Sequence, residues 1–293
     1  MVRKIFQTNA ELKDWLSEQN SAIIFIPTMG GLHPGHQYLI EKAKERKTKK
    51  NQIILVSIFV NPLQFGKDED FKKYPRNISK DAELAFNAGA DAIWAPDYFE
   101  VFPGGENSHF KIQVPQTLHN QLCGAERAGH FDGVATVIIR LIRIIRPEKL
   151  ILGEKDWQQL IIIRKLFQEL SIPIKIESYS TQRDQSGFAY SSRNSYLSDS
   201  ERINAQSLPN AIKEAKTDFD KKKLINLKKI ASRLKETNLK IEYHKFIDDD
   251  FAIANDETDS SKQNAIIKYL YGFYTKAVWR LRFSPSRIFY FSQ

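Results

Sequence analysis

Two apolar runs, "AIIFI" (22–26) and "IILVSIFV" (53–60), show no alternation with polar residues, the pattern of strands buried on both faces of a parallel sheet. Helical periodicity falls between and after them. Beyond His36, Leu39, Ile40 and Ala43 share one face while Glu41, Lys42, Lys44, Glu45 and Arg46 line the other, which predicts a helix of two to three turns. From Asp132, a stripe of Val134, Val137, Ile138, Leu141, Ile142 and Ile145 predicts a long helix that Pro147 ends. "KLILG" (149–153) reads as a strand, "WQQLIIIRKLFQEL" (157–170) as a helix and "IPIKIES" (172–178) as another strand. Strand and helix alternating over residues 22–178 predict a doubly wound parallel α/β sheet with right-handed crossovers.

Past residue 180 the texture changes. "SDSE" (198–201) fits a capping box that opens a helix, and a second helix is expected over 222–236. "KIEYHKFID" (240–248) and "KAVWRLRFS" (276–284) read as strands of a smaller α+β domain, with the polar stretch 249–264 as a loop. The expected organisation is therefore a first domain over 1–179 and a smaller second one over 180–293, with no internal repeat.

Composition narrows the function classes. Cys123 is the single cysteine and cannot form an internal disulfide, and neither a leader nor a spanning-length apolar stretch is seen, so a soluble, cytoplasmic chain without a membrane partner is expected. The net charge of +9, from 44 basic against 35 acidic residues, suits a polyanion such as nucleic acid or a small substrate carrying several phosphates. Much of the excess lies in solvated runs such as "KAKERKTKK" (42–50), so nucleic-acid binding is not expected.

Open α/β sheets bind ligands beyond the carboxyl ends of their strands, and "PTMGGLHPGH" (27–36) lies at such an end. Gly30 and Gly31 let the backbone turn tightly, Gly35 lets a ligand approach the following helix N-terminus, and His33 and His36 add donors suited to phosphate oxygens. The same residues also fit a capping turn with incidental histidines, because no Walker-type or GxGxxG pattern accompanies them. "GEKDWQQL" (153–160) carries Lys155 out of a strand end, where a point charge can neutralise phosphate, unless Glu154 or Asp156 holds it in a surface ion pair. Gln159, three residues beyond Asp156, can donate and accept at once. In "YSSRNSYLS" (190–198), Ser191, Ser192 and Arg193 make a phosphate clamp or ordinary loop material. "SIFVNPLQF" (57–65) leaves its strand through Asn61 and Pro62, with Gln64 just past the end. In "LCGAERAGHFDG" (122–133), Arg127 and His130 read either as ligands or as helix-capping neighbours.

Together "PTMGGLHPGH", "SIFVNPLQFGKDEDFKKYPR" (57–76), "LCGAERAGHFDGVATV" (122–137), "GEKDWQQL" and "SSRN" (191–194) resemble the pantothenate synthetases, the ATP-dependent ligases that join pantoate to β-alanine. The resemblance covers most of residues 22–197 in order and spacing. It implies a Rossmann-like nucleotidyltransferase domain with an HxGH signature, a C-terminal lid domain, a pantoyl-adenylate intermediate, ATP as substrate, Mg2+ and a homodimer. By the same likeness, His36 is the principal catalytic histidine, with His33, Lys155 and Arg193 beside it. ATP would be contacted by Met29, Gly30, Gly31, Leu32, His33, Pro34, Gly35 and His36. Gly153, Glu154, Lys155 and Asp156 would join them, together with Gln182, Tyr190, Ser191, Ser192 and Arg193, and Gln64 and Gln159 would hold pantoate. No residue is assigned as a metal ligand. Gly31, Gln182, Tyr190 and the ending 274–293 depart from the family pattern. The alternative is another HxGH nucleotidyltransferase, adenylyl- or cytidylyl-transferring, which would not need the paired glutamines.

Overall fold

The structure, a computed structural model, describes residues 3–48, 51–105, 108–207, 209–210, 213–214, 217, 240–247, 253–254, 276–284 and 287–292. In chain order these form β1 (Lys4–Phe6), α1 (Asn9–Gln19), β2 (Ala22–Thr28), α2 (Pro34–Glu45), β3 (Gln52–Ile58), α3 (Ile78–Ala88) and β4 (Ala92–Trp94). Short helices α4 (Tyr98–Val101), α5 (Gln116–His119) and α6 (Leu122–Glu126) precede α7 (His130–Ile145), β5 (Lys149–Gly153), α8 (Trp157–Glu169) and β6 (Lys175–Tyr179). Then come α9 (Asp199–Ala205), β7 (Lys240–Ile247), β8 (Ile253–Ala254), β9 (Lys276–Ser284) and β10 (Arg287–Ser292).

The first sheet has the order β1-β4-β3-β2-β5-β6, with every pair parallel. From β2 the chain winds outward through β3 to β4, then returns to place β5 on the other side of β2. That reversal is the topological switch point of a doubly wound sheet, the place where such sheets bind ligands beyond the carboxyl ends of their strands. The unbroken apolar runs follow from burial on both faces. Ile24, Ile26, Ile54 and Val56 join a core with Ile40 and Ala43 of α2 and Ala82, Ala85 and Ala88 of α3. Ile23, Phe25, Ile53 and Leu55, on the opposite side of the pleat, are buried as well.

By backbone packing the chain divides into two units, one of Met1–Glu154 with Ile162–Gln182, the other of Lys155–Ile161 with Arg183–Gln293. In the second, β10-β9-β7-β8 form an antiparallel sheet, and Ser198 caps α9 in a capping box with Glu201. The strands expected at 240–248 and 276–284 are β7 and β9. The stretch 249–264, expected to be a loop, contains β8 paired to the end of β7, because Ile253 and Ala254 supply strand residues to an open edge; its other residues and the helix expected over 222–236 lie outside the described residues. Among the described residues no helix is long and apolar enough to cross a membrane.

Candidate active site

Thr28 ends β2, and the loop that follows turns through Gly30 and Gly31, both at positive φ (83° and 61°), a region that favours glycine. A side chain on Gly30 would also meet the Asp81 carboxylate at 2.9 Å. Asp81, 3% exposed on α3, accepts the Gly31 N–H at 2.9 Å and the Leu32 N–H at 2.7 Å. Burial pushes its carboxyl above the ordinary range, while those two hydrogen bonds and the charge of Lys80 pull the other way. The Gly30 N–H donates to the Thr28 hydroxyl at 3.2 Å.

α2 starts at Pro34, two residues before His36, with His33 as its N-cap residue. The His33 N–H donates to His36 Nδ1 at 3.3 Å, and the His36 N–H donates to the His33 carbonyl at 2.8 Å. Pro34 has no N–H to offer. The backbone donors of residues 30–33 and 36 are thus engaged by Thr28, Asp81, His36 and His33 within the protein. The two imidazoles lie together, ring centres 4.0 Å apart and planes inclined by 35°. Because His36 Nδ1 accepts, a neutral His36 carries its proton on Nε2, as a donor.

Beyond β3, Asn61 caps a 3-10 turn over Pro62–Gln64 and is 1% exposed. Its Nδ2 donates to Gln64 Oε1 at 3.1 Å and to the Gly133 carbonyl at 3.2 Å. Gln64 Nε2 donates to Met29 Sδ at 2.9 Å, so Met29 and Gln64 meet directly. A half-buried glutamine held from both sides is not a solvated loop residue. Asp81 and Asn61 went unassigned in the sequence reading. An Asx cap before Pro62 is a legible signal for Asn61; Asp81 carries no local signal that sets it apart from the charges beside it.

The chain leaves β5 through Gly153 and enters a 3-10 turn, Glu154–Asp156. Lys155 Nζ lies 3.7 Å from Asp156 Oδ2, with 22% of its side chain exposed against 47% for Asp156, while Glu154 accepts from the Ser178 hydroxyl at 3.0 Å. Gln159 sits half-buried in the first turn of α8, behind the buried Gln158. Further along, Ser191 caps the 3-10 turn Ser192–Tyr196 by accepting from the Arg193 N–H at 3.3 Å, and Asn194 donates to the Ala189 carbonyl at 3.0 Å. Tyr190, Ser191, Ser192 and Arg193 are all half-buried, and Gln182 donates to the Ser180 carbonyl at 3.3 Å. The structure therefore brings together His33 with His36 and Met29 with Gln64 on the first unit, and Lys155 with Asp156 and Ser191 with Arg193 on the second.

Among the described residues, no group of three or more His, Cys, Asp or Glu side chains converges to hold a metal ion. A protein cage for Mg2+ does not fit this donor set; a magnesium ion here would be one ligated mainly by a substrate's phosphates.

Comparison with known proteins adds a family. The sequence profile of the pantoate-beta-alanine ligases matches residues 4–277. A Prochlorococcus marinus protein named bifunctional pantoate ligase/cytidylate kinase is 88% identical over 248 residues, covering 85% of this chain and 48% of that protein. One of the same name from Parasynechococcus marenigrum is 44% identical over 83% of this chain and 46% of its own length. The chain thus spans about half the length of the curated relatives it matches. Among solved structures, pantothenate synthetase from Thermus thermophilus superposes with a TM-score of 0.85 at 31% identity, covering 99% of this chain and 98% of that one. A pantoate-beta-alanine ligase from Francisella tularensis, complexed with beta-gamma ATP and beta-alanine, gives 0.79 at 27% identity over 100% and 97%.

Proposed function

Since the chain belongs to the pantoate-beta-alanine ligase family, we propose that it condenses pantoate with β-alanine at the expense of ATP, through a pantoyl-adenylate. The observation that carries this reading is the close His33–His36 pair past the carboxyl end of β2, in the same loop whose Met29 meets the Gln64 held in place past the end of β3. A carboxylate and an amine do not condense unaided in water. A pantoate carboxylate oxygen attacks the α-phosphorus of ATP, the bond to the bridging oxygen breaks, and pyrophosphate leaves with the electron pair. Negative charge grows on the phosphate oxygens during that step, and fixed donors aimed at it lower the barrier.

The His36 Nε2–H is such a donor, oriented by the bond its Nδ1 accepts from the His33 backbone. His33, Lys155 and Arg193 are assigned the same task, and Ser191 and Ser192 add hydroxyl donors. Mg2+ would enter with the triphosphate and offset its charge. In the second step the neutral amine of β-alanine attacks the pantoyl carbonyl carbon, AMP departs with the carbon–oxygen electron pair, and the amine proton is lost to solvent or base. Gln64 and Gln159 are assigned to the hydroxyls of pantoate, because an amide both donates and accepts. An analogue lacking one hydroxyl would leave a buried amide group unsatisfied, which discriminates strongly.

The test is exchange of labelled pyrophosphate into ATP. Exchange that requires pantoate but not β-alanine, followed by AMP release when β-alanine is added, is expected. A folded chain with no pantoate-dependent exchange would sink the reading and favour a different HxGH transferase.

A further inference from the structure

We propose that Arg127, His130 and Glu69 are positioning residues that hold Gln64 in register for the hydroxy acid, an inference that rests on the ligase reading above. Gln64 is anchored by its backbone as well as its side chain. Its carbonyl accepts from Arg127 Nη2 at 3.1 Å and from His130 Nδ1 at 2.8 Å. The same guanidinium grips both oxygens of Glu69, Nε to Oε1 and Nη2 to Oε2, each at 2.6 Å. Its remaining Nη1 lies 2.8 Å from His130 Nε2.

Donor and acceptor roles in this cluster have one consistent solution. A guanidinium only donates, so His130 Nε2 must accept; the ring proton then sits on Nδ1, where a carbonyl oxygen is waiting to receive it. Glu69 stands five residues after Gln64 and Arg127 just before α7, so the network ties the chain on the far side of Gln64 to the start of that helix. Arg127 and His130 are each 8% exposed, which shields the bonds from water.

Packing holds the same junction. A side chain on Gly133 would fall 2.2 Å from the Leu63 carbonyl, so α7 and the turn carrying Gln64 touch backbone to backbone. This close packing serves no part of the proposed chemistry directly. It makes sense as the support that keeps the Gln64 amide from wandering.

The experiment uses the full chain and the variants Arg127→Lys, which keeps the charge but loses the fork, and Glu69→Gln, which keeps the shape. KM for pantoate and for ATP are measured separately by AMP release, with thermal melts to establish folding. Pantoate KM is expected to rise on the order of 10- to 100-fold, as for a binding group displaced by a fraction of an ångström, with ATP KM unchanged. Combined with Gln64→Ala, either variant should add little further loss, because both act through the same residue. A folded variant with unchanged pantoate KM, an equal rise in both KM values, or full additivity with Gln64→Ala overturns the proposal. If Arg127→Lys does not fold, Glu69→Gln decides by the same criteria. Independently of turnover, spectra of the chain labelled with 15N-histidine should show His130 protonated at Nδ1. The Nε2–H form would overturn the positioning network whatever the assay yields, whereas an Nδ1–H form in a wild-type chain without pantoate-dependent turnover would sink the ligase reading alone.

Discussion

At the scale of single residues, the proposed reaction turns on side-chain donors. His36→Ala and Lys155→Ala should each lower turnover on the order of 10²- to 10³-fold in a folded chain, read by AMP release with ATP, pantoate and β-alanine; His36→Ala also removes an acceptor of the His33 N–H and should lower the melting temperature modestly, whereas Lys155→Ala should leave it unchanged. Turnover near normal in either would remove that residue from the machinery. Asp81 has a different signature. Burial, the largest influence on it, holds the folded-state pKa above the ordinary value of 3.8, so its ionisation is disfavoured in the folded chain. Its contribution to stability is therefore most favourable below that value and is lost as pH climbs through the raised pKa. The melting temperature of Asp81→Asn relative to wild type should accordingly rise as pH climbs from below the ordinary value of 3.8 through the raised pKa, and level off above it. A difference that stays flat across that range would show that Asp81 does not titrate this way. Charge could not reveal this residue in the sequence, where Asp81 sits among Lys80, Glu83 and other ordinary surface letters.

Elements were legible in proportion to how much bulky apolar surface they bury. β2, β3, β5 and α7 carry Ile, Leu, Val and Phe and matched their periodicity within a few residues. The buried apolar residues of α3 are the small Ala82, Ala85 and Ala88, beside the buried Asp81, and β4 is the three-residue strand Ala92–Trp94, so neither gave a bulky apolar pattern. Their end signals were present: Asn77 caps α3 by accepting from the Lys80 N–H, and Gly89 ends it at a φ of 113°. The junction of α7 with the Pro62–Gln64 turn yields a test at this scale. Gly133→Ala should destabilise the chain by about 1–3 kcal/mol through overpacking against the Leu63 carbonyl, measured by denaturant unfolding. Arg127→Ala should cost about 1–3 kcal/mol, since it deprives the part-buried Glu69 carboxylate and the Gln64 carbonyl of charged donors. Values near zero would show that this corner yields easily.

For the whole molecule, strand order matters more than any single element. Placing β5 next to β2, with β3 and β4 on the other side, puts the carboxyl ends of β2 and β5 side by side at the switch point of the first sheet. A homodimer is proposed from the family resemblance, and sedimentation equilibrium should return a mass of twice 33.9 kDa for this chain. A monomer at micromolar concentration would refute it.

The linear order of residues determined the parallel α/β class, the two histidines at a strand end and the spaced polar motifs, because periodicity and short motifs are local properties. Only the tertiary structure decided that the glycine loop gives its backbone donors to Thr28 and Asp81, and that Arg127 and His130 converge on the Gln64 carbonyl. Those partners lie between two and 66 positions apart along the chain, and for the distant ones no local preference specifies which donor will meet which acceptor. Burial makes the choice, since a polar group removed from water must find its partner among whatever the folded backbone brings within reach.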